Sequence, residues 1–163
     1  MKIRPLEPAD WDAVRTIYEL GIATNITTFE DQTPEWQSWH EGHLSIGRLV
    51  ATLDQQVVGW VALSPVSKRP AYAGVAEVTL YVHPDFGRKG IGRSLMESVI
   101  TDSEKNGIWT LNAVILSENT ASLQLFEKSG FRTVGYREKI AQKHGVWKDT
   151  VLMERRSNLP AYR

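Results

Sequence analysis

Val75-Ala76-Glu77-Val78-Thr79-Leu80-Tyr81-Val82-His83-Pro84-Asp85-Phe86-Gly87-Arg88-Lys89-Gly90-Ile91-Gly92-Arg93-Ser94 decides the fold. Its opening is a strand: alternation puts Ala76, Val78, Leu80 and Val82 on one face, and Glu77, Thr79 and Tyr81 on the other. His83-Pro84-Asp85 stops it, and a glycine-rich turn leads into a helix carrying Leu95, Met96, Val99 and Ile100. Glycines let backbone N–H groups crowd around an anion, and a helix N-terminus adds partial positive charge. Arg88, Lys89 and Arg93 make the turn cationic as well. A di- or triphosphate is its natural guest.

Two common phosphate carriers fail here on a named residue. A dinucleotide fingerprint needs a third glycine, but Leu95 stands where it would fall after Gly90 and Gly92. The nucleotide-binding P-loop nearly fits Gly87-x4-Gly92-Arg93-Ser94, except that Arg93 replaces the lysine, and the two are not interchangeable there. No apolar strand ends in a convincing Mg²⁺-binding Asp either.

Working outward, Ile3 to Leu6 reads as a first strand. Trp11, Val14, Ile17, Tyr18 and Gly21 follow at helical spacing, with Asp10 as their cap. After a polar loop, Thr24 to Thr33, Pro34 suits the first turn of a helix bearing Trp36, Trp39, His40 and His43. Leu49–Leu53 and Val57–Leu63 form a hairpin across Asp54-Gln55-Gln56, and a proline-bearing loop from Ser64 to Pro70 leads to the central strand. Beyond the glycine turn come a strand over Leu111–Ile115 and a helix with Ser122, Leu125, Phe126 and Ser129 that ends at Gly130. Two strands, Phe131–Ile140 and Trp147–Arg155, close the chain. This order is a mixed α/β (α+β) layout around one sheet, in a single domain over residues 1–163.

Composition removes several functions. Lys plus Arg and Asp plus Glu both number 19, without the basic excess of a phosphate-gripping nucleic-acid binder. The absence of cysteine rules out disulfides, thiolate metal sites and a cysteine nucleophile. No stretch approaches the roughly 20 apolar residues of a membrane span. With no signal-peptide-like start, a cytoplasmic location is expected. His40 and His43 share a helical face, but no third ligand follows, so a structural role and no metal are expected. Ser94 and Ser122 lack the His–Asp partners of a nucleophile.

The guest that fits is coenzyme A. Gly87-x-x-Gly90-x-Gly92 after Leu80-Tyr81-Val82-His83-Pro84 resembles the pyrophosphate loop of the GNAT (GCN5-related N-acetyltransferase) superfamily. Gly87 stands where that family usually has Gln or Arg. Asn119-Thr120-Ala121-Ser122 through Phe126-Glu127-Lys128-Ser129-Gly130-Phe131 resembles its second cofactor signature. Thr28-Phe29-Glu30, Arg69-Pro70-Ala71-Tyr72 and Lys143-His144-Gly145-Val146-Trp147-Lys148-Asp149 resemble the phosphinothricin and methionine sulfoximine acetyltransferase branch.

The resemblance implies a GNAT fold, with a mixed, mostly antiparallel sheet of about seven strands flanked by about four helices. It implies acetyl-CoA as co-substrate, a small amino acid-like amine (phosphinothricin, methionine sulfoximine or methionine sulfone) as acceptor, and a homodimer. Leu80, Tyr81, Val82, Arg88, Lys89, Gly90, Ile91, Gly92, Arg93, Asn119, Ser122 and Lys128 are then expected to hold the cofactor. Glu77 matches the branch's catalytic Glu and is expected to act as general base, because an amine must lose a proton before it attacks a thioester. Arg69 is expected to clamp a substrate carboxylate, with Phe29, Glu30 and Tyr72 shaping the pocket. Many relatives carry a proton-donating Tyr at the position of Phe126, which leaves the general acid unassigned. A protein-lysine or N-terminal acetyltransferase and a non-catalytic acetyl-CoA-binding module are the competing readings.

Overall fold

A computed structural model describes residues 1–163. Seven strands form one sheet: β1 (Lys2–Pro5), β2 (Leu49–Leu53), β3 (Gln56–Pro65), β4 (Val75–Val82), β5 (Thr110–Leu116), β6 (Arg132–Lys143) and β7 (Val146–Arg156). Four helices accompany them: α1 (Trp11–Ala23), α2 (Trp36–Gly42), α3 (Ile91–Lys105) and α4 (Thr120–Lys128). The spatial order is β1-β2-β3-β4-β5-β7-β6. Every neighbouring pair is antiparallel except β4 and β5. No helix is long and apolar enough to cross a membrane.

The alternation along β4 sorts two apolar clusters onto opposite faces. Ala76 and Val78 join Ile91, Leu95, Met96 and Val99 of α3 and Phe126 of α4. Tyr81 points the other way, among Trp11, Val14 and Ile17 of α1, Trp39 of α2 and Trp60 of β3. Gly21, inside α1, is there because of Tyr81: a Cβ on it would stand 2.4 Å from Tyr81 Cε1. The usual gain from replacing a helical glycine is thus unavailable at this position.

Local geometry departs from the sequence reading at two places. Asp10 does not cap α1 through its side chain. Its buried carboxylate forks onto Arg4 with two contacts of 2.7 Å and accepts the Glu7 N–H at 2.8 Å. A charge-assisted fork outweighs one neutral cap bond. Arg4 holds the Asp10 carboxyl below the usual carboxylate range, so the stabilisation is present above the unfolded pKa and lost as pH falls through the folded one. Asp10→Asn should cost about 1.5–3 kcal/mol at neutral pH, as loss of bonds to a charged group does. In urea titrations that difference should shrink as the pH is lowered toward the depressed pKa.

The second departure is in β6, which was expected to end at Ile140 and runs to Lys143. Its pairing with β7 breaks between Arg137 and Ala141, so Glu138, Lys139 and Ile140 bulge out. Lys139 takes φ 49°, and its N–H donates to Asp149 Oδ1 at 2.7 Å. Asp149 also accepts from the Tyr136 hydroxyl. Such a bulge re-aims the side chains beside it.

Candidate active site

The site lies where two strands part. β4 pairs with β3 as far as Val82. With β5 it pairs only through Val75–Thr110, Ala76–Leu111 and Glu77–Asn112. β5 meanwhile stays paired with β7 to Leu116. The β4 edge beyond Glu77 therefore faces a gap rather than a neighbour. A cavity of about 330 Å³ fills it, lined by Glu77 to Tyr81, Ala113 to Leu116, Asn119, Ser122, Phe126, Thr150, Tyr18 and the segment Thr27 to Glu30. Of the residues singled out in the sequence, Glu77, Leu80, Tyr81, Phe29, Glu30, Asn119 and Ser122 thus meet around one space.

Glu77 is half-buried, and its carboxylate makes no hydrogen bond to another protein group. Burial pushes its carboxyl up from the ordinary range, and the Arg137 charge pulls it partly back. Tyr18 and Tyr81 stack with centroids 5.1 Å apart, and Trp60 lies 5.2 Å from Tyr81. Burial, with Tyr81 and Glu30 adding to it, pushes the Tyr18 phenol up to about 12. Burial raises Tyr81 as well. Both phenols stay protonated at neutral pH, and the cavity lining also holds two carboxylates, Glu77 and Glu30.

The register of β4, β5 and β7 puts Glu77, Asn112, Leu116 and Thr150 on one sheet face. Asn112 Oδ1 and Thr150 Oγ1 are buried there without partners, where buried polar atoms are normally paired. At the N-terminus of α4, Asn119 Oδ1 accepts the Ser122 N–H at 3.2 Å. The side-chain amide of Asn119 keeps its N–H groups free on the cavity wall. Phe126 packs edge-on against Phe131 at 4.8 Å, so α4 presents an apolar ring at this position.

The glycine turn lies between β4 and α3, where the sequence reading places it, with its left-handed residues distributed differently. Gly87 has φ −61° and does not use its freedom, whereas Arg88 at φ 62° and Gly90 at φ 76° are left-handed. Gly90 precedes α3, whose first N–H groups are free of helical partners and have Arg88, Lys89 and Arg93 nearby. A Cβ on Gly92 would sit 3.2 Å from Leu125 and 3.7 Å from Val82, so this glycine lets α3 close on α4 and the end of β4. Lys89 lies over the Phe86 ring at 5.3 Å and Arg93 pairs with Glu97 at 2.8 Å. Arg88 has no partner. Ile91 is core rather than surface.

Ten expected site residues lie outside the cavity lining: Val82 and the turn residues Arg88 to Arg93, which continue from the end of β4 into α3, and Arg69, Tyr72 and Lys128, which stand apart from both. Arg69 and Tyr72 are exposed on the loop before β4, outside its lining. Lys128 is exposed at the opposite end of α4 from Asn119, about 13 Å away at helical rise. Conversely, Tyr18, Thr27, Thr28, Thr150, Arg137 and Lys143 were not singled out individually in the sequence. Arg137 opposes Thr150 across β6 and β7 beside the bulge, and pairs with no carboxylate. No three His, Cys, Asp or Glu side chains come together as a metal-binding group; His43 Nδ1 meets Trp39 O at 2.6 Å, and His40 meets Arg48 at 2.7 Å.

The seven-stranded sheet with β4 and β5 parted beside a glycine turn defines the class by its fold, and residues 11–131 match the profile of the Acetyltransferase (GNAT) family. The chain belongs to the GNAT acetyltransferase family. It is 32% identical over 167 residues to phosphinothricin N-acetyltransferase of Streptomyces viridochromogenes, covering 99% of this chain and 90% of that one. Identity is 26% to L-methionine sulfoximine/L-methionine sulfone acetyltransferase of Salmonella typhimurium, over 94% and 93% of the two chains. Among solved structures, a GNAT superfamily phosphinothricin acetyltransferase from Sinorhizobium meliloti in complex with AcCoA superposes with a TM-score of 0.87. Its sequence identity is 25%, with 99% of this chain and 91% of that one covered.

Proposed function

We propose that the chain, acting as one domain over residues 1–163, transfers the acetyl group of acetyl-CoA to the primary amine of a small amino acid-like compound. Phosphinothricin, methionine sulfoximine and methionine sulfone are the acceptors we favour, with detoxification as the role. One observation carries this reading: an unpartnered, half-buried Glu77 faces the cavity at the point where β4 leaves β5. The acetyl-CoA site fits the residues present. Gly90, Ile91 and Gly92 offer main-chain N–H groups to a pyrophosphate, with Arg88, Lys89 and Arg93 around them. The unpaired edge from Leu80 to Val82 accepts an extended pantetheine as a strand-like neighbour, and Asn119 and Ser122 face its other side.

Within that arrangement Glu77 removes the ammonium proton, directly or through water, and the freed amine attacks the acetyl carbonyl. A main-chain N–H on β4 stabilises the developing oxyanion. Coenzyme A leaves as thiolate; the attacking nitrogen gives up its second proton, and water relays it to the thiolate, since Phe126 cannot donate. Phe29 and Glu30 shape the acceptor side. We assign the attraction of the substrate carboxylate to Arg137, whose charge reaches Glu77, rather than to the distant Arg69. Arg137→Gln should raise KM for a carboxylate-bearing amine. It should also move the acid limb of the kcat profile to higher pH, because the cation that opposes the rise in the Glu77 pKa is gone. An unshifted limb would separate Arg137 from Glu77.

We place the enzyme in the cytoplasm as a homodimer. Support for self-association comes from exposed apolar side chains concentrated on the outer strands: Val134, Tyr136 and Ile140 on β6, and Val146 and Trp147 on β7. The deciding experiment is acetyl-CoA-dependent thiol release with and without the three amines. Release that requires one of them supports the reading. Acetyl-CoA binding with turnover only on peptides would favour a protein acceptor, a reading encouraged by the likeness to ribosomal-protein-alanine N-acetyltransferase from Brucella melitensis (TM-score 0.87, 25% identity). Failure to bind acetyl-CoA would overturn both.

A further inference from the structure

Lys143, at the end of β6, is only 4% exposed and forms no ion pair with a carboxylate. Burying a lysine side chain is costly unless its donors are satisfied. Here Nζ donates to two main-chain carbonyls, Thr28 O at 2.8 Å and Glu30 O at 2.9 Å, across 115 and 113 residues of sequence. Those carbonyls belong to the segment between α1 and α2, in which residues 24–35 form neither helix nor strand. Thr28, Phe29 and Glu30 line the cavity opposite Glu77.

Near its middle the Tyr81 hydroxyl of β4 lies within hydrogen-bonding reach of Thr27 and Thr28; the other bonds of the segment are local or reach α1, apart from one to the hairpin. Thr24 and Thr27 hydroxyls donate to Gly21 O, and the Glu30 N–H returns to Thr28 Oγ1. Thr33 meets Arg15 and Glu19 on α1. One exposed contact, His144 to Asp31 at 3.2 Å, also reaches the β6–β7 hairpin. The buried attachment of the segment to the hairpin is therefore Lys143.

We infer that Lys143 is a positioning residue for the acceptor amine, holding the 28–30 backbone at a set distance from Glu77. Both acceptors are carbonyls, so the tie sets where the segment stands whatever its side chains are. Phe29 and Glu30 then choose the substrate, while Lys143 decides where they stand. This rests on the acetyltransferase reading above, although the tie itself can be tested without turnover.

Two measurements on the full-length protein are decisive. The first is hydrogen–deuterium exchange of peptides spanning residues 24–33, without substrate, in wild type, Lys143→Met and Lys143→Arg. Exchange in this segment should accelerate in Lys143→Met and return toward wild type in Lys143→Arg, whose donors can again reach the carbonyls. The second is steady-state kinetics with whichever amine wild type accepts. Lys143→Met should raise KM for the amine or lower its kcat/KM by roughly 10–100-fold, as a misplacement of about 1 Å can. KM for acetyl-CoA should stay within about twofold, because α3 and the β4 edge are untouched.

Asp31→Asn, which removes only the exposed contact, should leave both KM values within about twofold. Unchanged exchange at 24–33, or equal shifts in both KM values, would overturn the inference. If Lys143→Met lost its cooperative melt, Lys143→Gln would take its place under the same criteria. Wild type that turns over no amine would remove the functional reading while leaving the exchange result to judge the tie.

Discussion

Glu77→Gln should lower kcat by ~10²–10⁴-fold, the usual contribution of a general base, without lowering the melting temperature. The second half follows from the direction of the pKa. Burial raises the Glu77 carboxyl in the folded state, so its favourable contribution is present below the unfolded pKa and is lost as pH rises through the folded one. At neutral pH the ionised carboxylate is a desolvated charge that glutamine removes. The variant should therefore melt at or above the wild-type temperature at pH 7, and the difference should vanish in acid. Its kinetic deficit should also narrow as pH rises toward the amine's own pKa, because more of the substrate then arrives deprotonated. Retention of more than about a tenth of wild-type kcat at pH 7 would rule out Glu77 as the base.

The largest stability effect is expected at Trp60. It is fully buried and stands 5.2 Å from Tyr81, 5.7 Å from Tyr18 and 5.7 Å from Trp39, ring centroid to centroid. Trp60→Ala should cost about 3–5 kcal/mol, since the lost transfer energy and the cavity left behind add. In a chain of this length, each kcal/mol lowers the melting temperature by about 2–4 °C. The indole N–H of Trp60 is buried without a partner. Trp60→Phe should therefore cost much less than Trp60→Ala, because it removes volume but no hydrogen bond. Equal losses in denaturant titrations would show that the N–H is satisfied after all. Trp60 supports Tyr81 and Tyr18 from behind, so the alanine variant should also weaken amine binding before it affects acetyl-CoA.

Much of the architecture was legible because period and punctuation agree along the chain. The β4 alternation correctly separated Ala76 and Val78 from Tyr81, and the observed strand has the expected bounds. The hairpin turn at Asp54 and Gln55, with φ of 47° and 70°, lies where the sequence put it, although Gln56 joins β3. Phe29 and Glu30, expected to shape the pocket, stand in the cavity lining. Arg69 and Tyr72, named on the same kind of resemblance, stay on an exposed loop within this chain.

The sequence by itself determined the elements, their order and the cationic turn, because these depend on residues close to one another. Alternation, helical spacing and glycine conformation act over a few residues and can be read along the line. Tertiary structure alone decided how far β4 stays with β5, where Arg137 points beyond its bulge, and which carbonyls Lys143 reaches. Those outcomes join groups brought together only by the closed sheet, at separations as large as 115 residues. Asp10 shows the same limit at short range: a cap by local rule, it turned to Arg4 once burial made a charged partner worth more than a neutral one.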